Sequence, residues 1–245
     1  LMIGNFIEYV SLVIIVLPLL IACIAMHIGA GVHSSLILRD LGVPLGLIMA
    51  FTGFLGIVQN ASDPSAFGPA TGIMLLALLY GGMLASVGYF WGFRTEGVAN
   101  LTLTLIEIKW WAPSISIMTF LVILGWFMEE AAGLSAFFYP IPFSVSAATA
   151  FIALLISNRQ NFLQALSQSF LLSAMINVLI GIIYYYNDEI GKGLKIGLLG
   201  IVYAQIAYIC LYHLSFKLGD PKKLDPQLMN WHWLEVSGFV IFMFL

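Results

Sequence analysis

Hydrophobic residues form long uninterrupted blocks in this chain, separated by short stretches with charge, proline or glycine. The blocks approach the roughly 20 residues that an α-helix needs to cross a bilayer. They lack the period-2 alternation of barrel strands, and in lipid a spanning segment must bond its own backbone polar groups. The pattern therefore predicts transmembrane helices at about 8–28, 42–59, 68–92, 113–128, 141–157, 168–186 and 192–216, with an eighth beginning near Val236.

The composition favours the same fold class, an all-α multi-pass membrane bundle of about seven or eight helices. Of the 245 residues, 61% are hydrophobic and 9% are charged, and the mean hydropathy is +1.02. Because soluble domains carry about 25% charged residues, a soluble enzyme is excluded. A net charge of −3 offers no basic surface for nucleic acid. The chain begins at Leu1 and stops within an apolar run, so we expect an excerpt of a longer protein.

Lys and Arg residues favour the cytoplasmic loops of membrane proteins, and their distribution therefore predicts orientation. One set of alternate predicted loops contains seven of them and the other set contains two. The richer set comprises the loops 29–41, 93–112, 158–167 and 217–235. This count places Leu1 and the loop at Ser62–Ala66 outside.

Two segments share a spacing that predicts an internal repeat. Gly68 precedes Tyr80 by the same number of residues as Gly191 precedes Tyr203, and a Leu-Leu pair lies between in both cases. Both segments would run from the outside inward, as in parallel repeats. The predicted division is a first membrane repeat at 1–95, a cytoplasmic linker at 96–112, a second membrane repeat at 113–217, and a loop with the start of a further transmembrane helix at 218–245.

The segment from Pro44 to Phe90 resembles the third and fourth spans of the MotA/TolQ/ExbB proton-channel family, and MotA-like flagellar stator subunits most closely. The resembling residues are a glycine-rich helix, Asn60, the run Asp63-Pro-x-Ala-x-Gly-Pro-Ala70 and the run Leu75-Leu-x-x-Leu-Tyr-Gly81. The resemblance implies an ion-gradient-driven complex in the bacterial inner membrane. Helices of this subunit would surround a single-span, MotB/TolR/ExbD-like partner that carries the ion-binding acid, in a hetero-oligomer. Flagellar or gliding motility, or an energised outer-membrane process, would be the role.

The sequence also departs from the family. Loops of about a dozen residues stand where the family has a large cytoplasmic insertion, and Ala77-Leu78 replaces a Thr pair. Two alternatives stay open, namely a non-conducting structural or assembly subunit and a secondary transporter with parallel repeats. An enzyme is not expected, because no P-loop, GxSxG or HExxH context occurs.

Carried over by position, the resemblance implies an ion path or partner-facing surface at Thr52, Ala77, Tyr80, Gly81 and Tyr203. Gly81 and Ala85 leave a groove that only a close-packed helix can fill. We expect a partner's helix there, so that a Gly81→Leu chain would stay folded but lose its partner. The hydroxyl of Thr52 is expected to bond its own helix backbone rather than an ion.

Small residues four apart allow helices to approach closely in lipid. Helix packing is therefore expected at Gly68, Gly72, Gly193 and Gly197. Three prolines are expected at hinges or turns: Pro44 and Pro69 in first helical turns, and Pro18 at a kink inside the first span.

Charged and metal-binding groups give weaker signals. Lys195, a possible tuning charge, lies about one turn into the seventh span and would either snorkel outward or pair with Asp188 or Glu189. No acid or histidine is expected at the centre of a span, which argues against a one-chain pump. We expect no metal and no cofactor, because the histidines lack midplane placement and no CxxCH motif occurs.

Overall fold

The computed structural model describes residues 9–59, 64–102, 109–157 and 162–218. Within these ranges the protein is all-helical and has no strand. The helices are α1 (Tyr9–Ala30), α2 (Ser34–Gln59), α3 (Pro64–Thr102), α4 (Trp111–Ala132), α5 (Pro140–Ile156), α6 (Phe162–Tyr186) and α7 (Ile190–Leu218). A short 3-10 turn, Leu134–Phe137, joins α4 to α5.

Six of the described helices are long and apolar enough to cross a membrane, and α5 is shorter, with 17 residues. The predicted all-α class is therefore confirmed, and the chain has the character of a multi-pass membrane protein. The eighth predicted span, near Val236, lies outside the described residues. The predicted repeat stays a prediction.

Three predicted boundaries differ from the structure. The second helix begins at Ser34 rather than at residue 42, so Arg39 and Asp40 lie inside it and not in a loop. The third helix continues to Thr102, through the predicted boundary between first repeat and linker. The sixth begins at Phe162 rather than at residue 168. Hydropathy marks only the lipid-facing part of a helix, so polar end turns and paired charges are missed.

The bundle is organised around α2, the most enclosed of the six long helices, which packs against α1, α3, α4 and α7. The two most extensive contacts are the antiparallel pairs α2–α3 and α6–α7. Contact between α2 and α7 brings the two pairs together. Side chains such as Ile48 and Leu199 are completely buried there. Because lipid is as apolar as these side chains, the close fit itself stabilises the contacts.

The end of α1 is fastened to the start of α4. Gly31 adopts the left-handed backbone conformation, with φ of 63°, and ends α1. The N–H of Lys109 donates to the carbonyl oxygen of Gly29 at 2.9 Å. A Cβ on Gly29 would lie 2.5 Å from the Cβ of Ala112, so only glycine fits here. These contacts set the spacing of α1 and α4 around the interior.

Candidate functional site

Glycines hold α2 and α3 at backbone contact. A Cβ on Gly81 would lie 2.5 Å from the carbonyl oxygen of Gly42 and 2.8 Å from the Cα of Gly46. A Cβ on Gly42 would lie 2.8 Å from the backbone nitrogen of Ala85. The groove at Gly81 and Ala85 is therefore filled by α2 of the same chain. The expectation that a Gly81→Leu chain would stay folded is corrected, because leucine has no room unless the two helices separate.

Much of the surface assigned to an ion path or a partner is enclosed within the chain. Thr52, Ala77 and Gly81 are buried, and Tyr80 is half-buried against the core. Tyr203 is also half-buried. Its hydroxyl donates to the carbonyl oxygen of Phe137 and lies 3.3 Å from the backbone nitrogen of Tyr139. Partner contact by these five residues stays a prediction.

The hydroxyl of Thr52 has no hydrogen-bond partner among the residues that the structure describes, although Thr52 is 0% exposed. The prediction that it bonds its own helix backbone is therefore wrong. Leaving a buried hydroxyl unpaired costs about 1–3 kcal/mol. Such a group inside a membrane helix indicates either a missing ligand or a tolerated strain.

The glycines expected at helix contacts lie in different surroundings. A Cβ on Gly193 would lie 2.8 Å from the backbone nitrogen of Tyr185, and one on Gly181 would lie 3.1 Å from the nitrogen of Gly197. These residues lie where α6 meets α7. A Cβ on Gly72 would meet nothing within 4 Å. The surroundings of Gly68 lie outside the described side chains.

The α6–α7 contact makes a direct prediction. Gly193→Ala is expected to lower the unfolding free energy by about 1–3 kcal/mol, because the added methyl group overlaps the backbone of α6. Gly191→Ala is the matched control, since a Cβ there meets nothing within 4 Å. Equilibrium unfolding in mixed micelles measures both. Equal effects of the two changes would mean that α6 and α7 do not touch at Gly193.

All three prolines lie inside helices. Pro18 is within α1, as predicted. Pro44 lies within α2, ten residues after its start at Ser34, so it does not open that helix. Pro69 is the sixth residue of α3, because Pro64 occupies the first helical position instead. Since proline has no N–H, Pro44 removes a helical hydrogen bond to the carbonyl of Asp40.

Lys195 makes no ion pair with Glu189. That carboxylate pairs with Lys192 at 2.8 Å, because residues three apart share one helix face. The ammonium of Lys195 lies 5.2 Å from the centre of the Tyr139 ring instead. The predicted Lys195–Glu189 pair is therefore wrong, and the nearest described contact of Lys195 is a cation–π contact.

A buried charged cluster joins α2 to α7, and the sequence did not predict it. Asp40 is 3% exposed. One carboxylate oxygen accepts a hydrogen bond from Nε of Arg39 at 2.7 Å. The other accepts from the hydroxyl of Tyr212 at 2.9 Å. The expectation that no acid lies within a span is thus corrected, because Asp40 belongs to a helix that could cross a membrane.

The electrostatics of this cluster follow from its enclosure. A lone carboxylate in a low-dielectric interior is very unfavourable, and a buried ion pair is tolerated only when additional hydrogen bonds satisfy it. Arg39 supplies the opposite charge, and Tyr212 supplies a hydrogen bond from the neighbouring helix. The cluster therefore couples the position of α7 to the charge on α2. Intramembrane acids of this kind are candidate functional groups.

The polar surface of α7 continues beyond the cluster. Gln205, Tyr208 and Tyr212 lie three and four positions apart on one helix face, and all are buried. Neither the amide nitrogen nor the amide oxygen of Gln205 has a hydrogen-bond partner within the described ranges. The two innermost helices, α2 and α7, thus face each other with polar groups in an otherwise apolar bundle.

Comparison with known proteins gives two local similarities. Chemotaxis protein PomA of Vibrio alginolyticus is 35% identical over 62 residues, which are 25% of this chain and 24% of that protein. Motility protein A of Cereibacter sphaeroides is 38% identical over 48 residues, which are 20% of this chain and 19% of that protein. This chain carries a MotA-like segment. The similarity spans about a quarter or less of those relatives' own length.

No known family profile matches the chain, and no solved structure is similar to it. The predicted resemblance to MotA-type proteins is therefore confirmed for a segment only. Membership of the wider MotA/TolQ/ExbB family stays a prediction. In the part of the chain that the structure describes, no three His, Cys, Asp or Glu side chains converge on a metal site. The expected lack of a metal or cofactor is not tested by this.

Proposed function

We propose that this chain is a membrane subunit of an ion-gradient-driven complex of the MotA/TolQ/ExbB type, located in a bacterial inner membrane. Its helices would form part of a wall around the membrane helix of a MotB/TolR/ExbD-like partner. The partner would carry the ion-binding acid, and no enzymatic step is involved. The observation that carries this proposal is the similarity, at 35–38% identity, to two motility proteins. The bundle of apolar helices agrees with it.

The outer face of α3 is the surface that a partner's helix would use. The inner face of α3 is occupied by α2, and α3 is the least enclosed of the long helices. Leu75, Leu79 and Met83 are exposed along one face at a spacing of four residues. A Cβ on Gly82 would meet nothing within 4 Å, so another helix can approach closely there.

Photo-crosslinking tests this assignment. A photoreactive residue at Leu79, on the outer face of α3, is expected to crosslink to a single-span protein with an acid in its membrane helix. The matched control is Leu155 on α5, which is also exposed and should label lipid alone. The experiment is done in native membranes with mass spectrometry of the adducts. Lipid adducts alone at Leu79 would contradict the proposed partner surface.

A second candidate function is a non-conducting structural or assembly subunit. The supporting observation is that Thr52, Ala77 and Gly81, the positions implied to line an ion path, are closed within the chain. Ion uptake into liposomes containing the purified complex separates the two. The conducting subunit predicts uptake that is lost when the partner's acid is changed to its amide. Crosslinking at Leu79 without any uptake would favour the structural role.

A further inference from the structure

A small cavity lies inside the bundle where α1, α2, α4 and α7 meet. It has room for about one water molecule. Its wall includes Pro18 and Ala22 on α1, Leu45 on α2, Ser116 on α4 and His213 on α7. No role in the proposed function has been given to these residues, and the following inference does not depend on that function.

His213 has a fixed tautomer. Its Nδ1 lies 2.8 Å from the carbonyl oxygen of Ile209 on the preceding turn of α7. A carbonyl oxygen can only accept, so Nδ1 carries the proton, and Nε2 of the neutral ring is an acceptor. Nε2 lies at the far end of the ring, and it has no hydrogen-bond partner among the described residues. His213 is 1% exposed, so bulk water does not supply one.

Ser116 faces the same cavity with complementary chemistry. Its hydroxyl donates to the carbonyl oxygen of Ala112 at 3.0 Å. The oxygen of that hydroxyl retains lone pairs that can accept. The cavity is therefore bordered by two acceptors, one on α7 and one on α4, and each requires a donor.

We propose that this cavity is a binding site for one water molecule, which donates one hydrogen to Nε2 of His213 and the other to Oγ of Ser116. Water is the ligand that fits both the volume and the demand for two donors. Buried waters commonly make two to four such bonds to otherwise unpaired groups. The bound water would link α4 to α7 beside Pro18.

Solid-state NMR of the full chain in lipid nanodiscs, with ¹⁵N-labelled histidine, tests the proposal. Magnetisation transfer from water to Nε2 of His213 is expected at neutral pH, and the Nε2 signal should be that of an unprotonated nitrogen. A His213→Gln sample identifies the signal among the four histidines. No transfer in the wild-type chain, or a proton bound directly to Nε2, would overturn the proposal.

A matched pair of substitutions on α1 locates the water. Ala22→Val fills the cavity and is expected to abolish the transfer. Ala25→Val adds the same group to a buried alanine of the same helix that does not line the cavity, and the transfer should persist. Ser116→Ala, which leaves the cavity open but removes one acceptor, should weaken the transfer and serves if Ala22→Val does not fold. Undiminished transfer in the variants that fold would place the water elsewhere and refute the site.

Discussion

Gly81→Ala is expected to disrupt the α2–α3 pair, whereas Gly82→Ala is expected to leave it intact. A Cβ on Gly81 would lie 2.5 Å and 2.8 Å from backbone atoms of α2, which cannot move aside as a flexible side chain could. Overpacking of this kind typically costs 1–3 kcal/mol. Because backbone rather than side chain must yield, we expect a loss of about 3 kcal/mol or more in unfolding free energy.

The neighbouring position is a strict control. A Cβ on Gly82 would meet nothing within 4 Å, and replacing a helical glycine by alanine removes about 1 kcal/mol of intrinsic penalty. Thermal or denaturant unfolding of the purified chain in mixed micelles gives both values. If Gly81→Ala is as stable as Gly82→Ala, then α2 does not occupy the groove, and a partner's helix regains its place there.

The second large effect is expected at the Asp40–Tyr212 hydrogen bond. Tyr212→Phe removes the hydroxyl that bonds the buried carboxylate at 2.9 Å. A hydrogen bond to a charged group contributes about 1.5–3 kcal/mol, and we expect a loss of that size. Asp40→Asn should also destabilise the chain, because it leaves Arg39 without its carboxylate partner at 2.7 Å.

A double-mutant cycle isolates this bond. The combined variant Asp40→Asn with Tyr212→Phe should lose less stability than the sum of the single changes, because the two share one interaction. Tyr186→Phe is the control for loss of a tyrosine hydroxyl, since Tyr186 is exposed at the end of α6. Additive effects, within about 0.5 kcal/mol, would show that the two side chains do not interact across α2 and α7.

Sequence reasoning located most helices because long apolar runs can exist only inside lipid or a protein core. It failed at Arg39-Asp40, where charge was interpreted as the end of a span. The apolar residues Leu36, Ile37 and Leu38 before that pair were a signal that the helix continued. The neutralising partner, Tyr212, is remote in the chain, and no local pattern could reveal it.

The candidate site shows a different limit. The glycine at position 81 was correctly identified as a point of close helix approach, since small residues at such spacing favour contact. The sequence could not distinguish a helix of the same chain from a helix of another protein, because both require the same small residues. The cavity beside His213 was equally hidden, as it depends on four helices meeting.

The length of α3 has a mechanical consequence. With 39 residues it measures about 58 Å, nearly twice the roughly 30 Å hydrocarbon core of a bilayer. Its apolar part is Met74–Gly92, and ten further helical residues extend to Thr102. These residues form an arm of about 15 Å beyond the apolar part. A tilt of α3 within the bilayer would therefore swing this arm through the adjoining water layer, where a soluble protein could sense it.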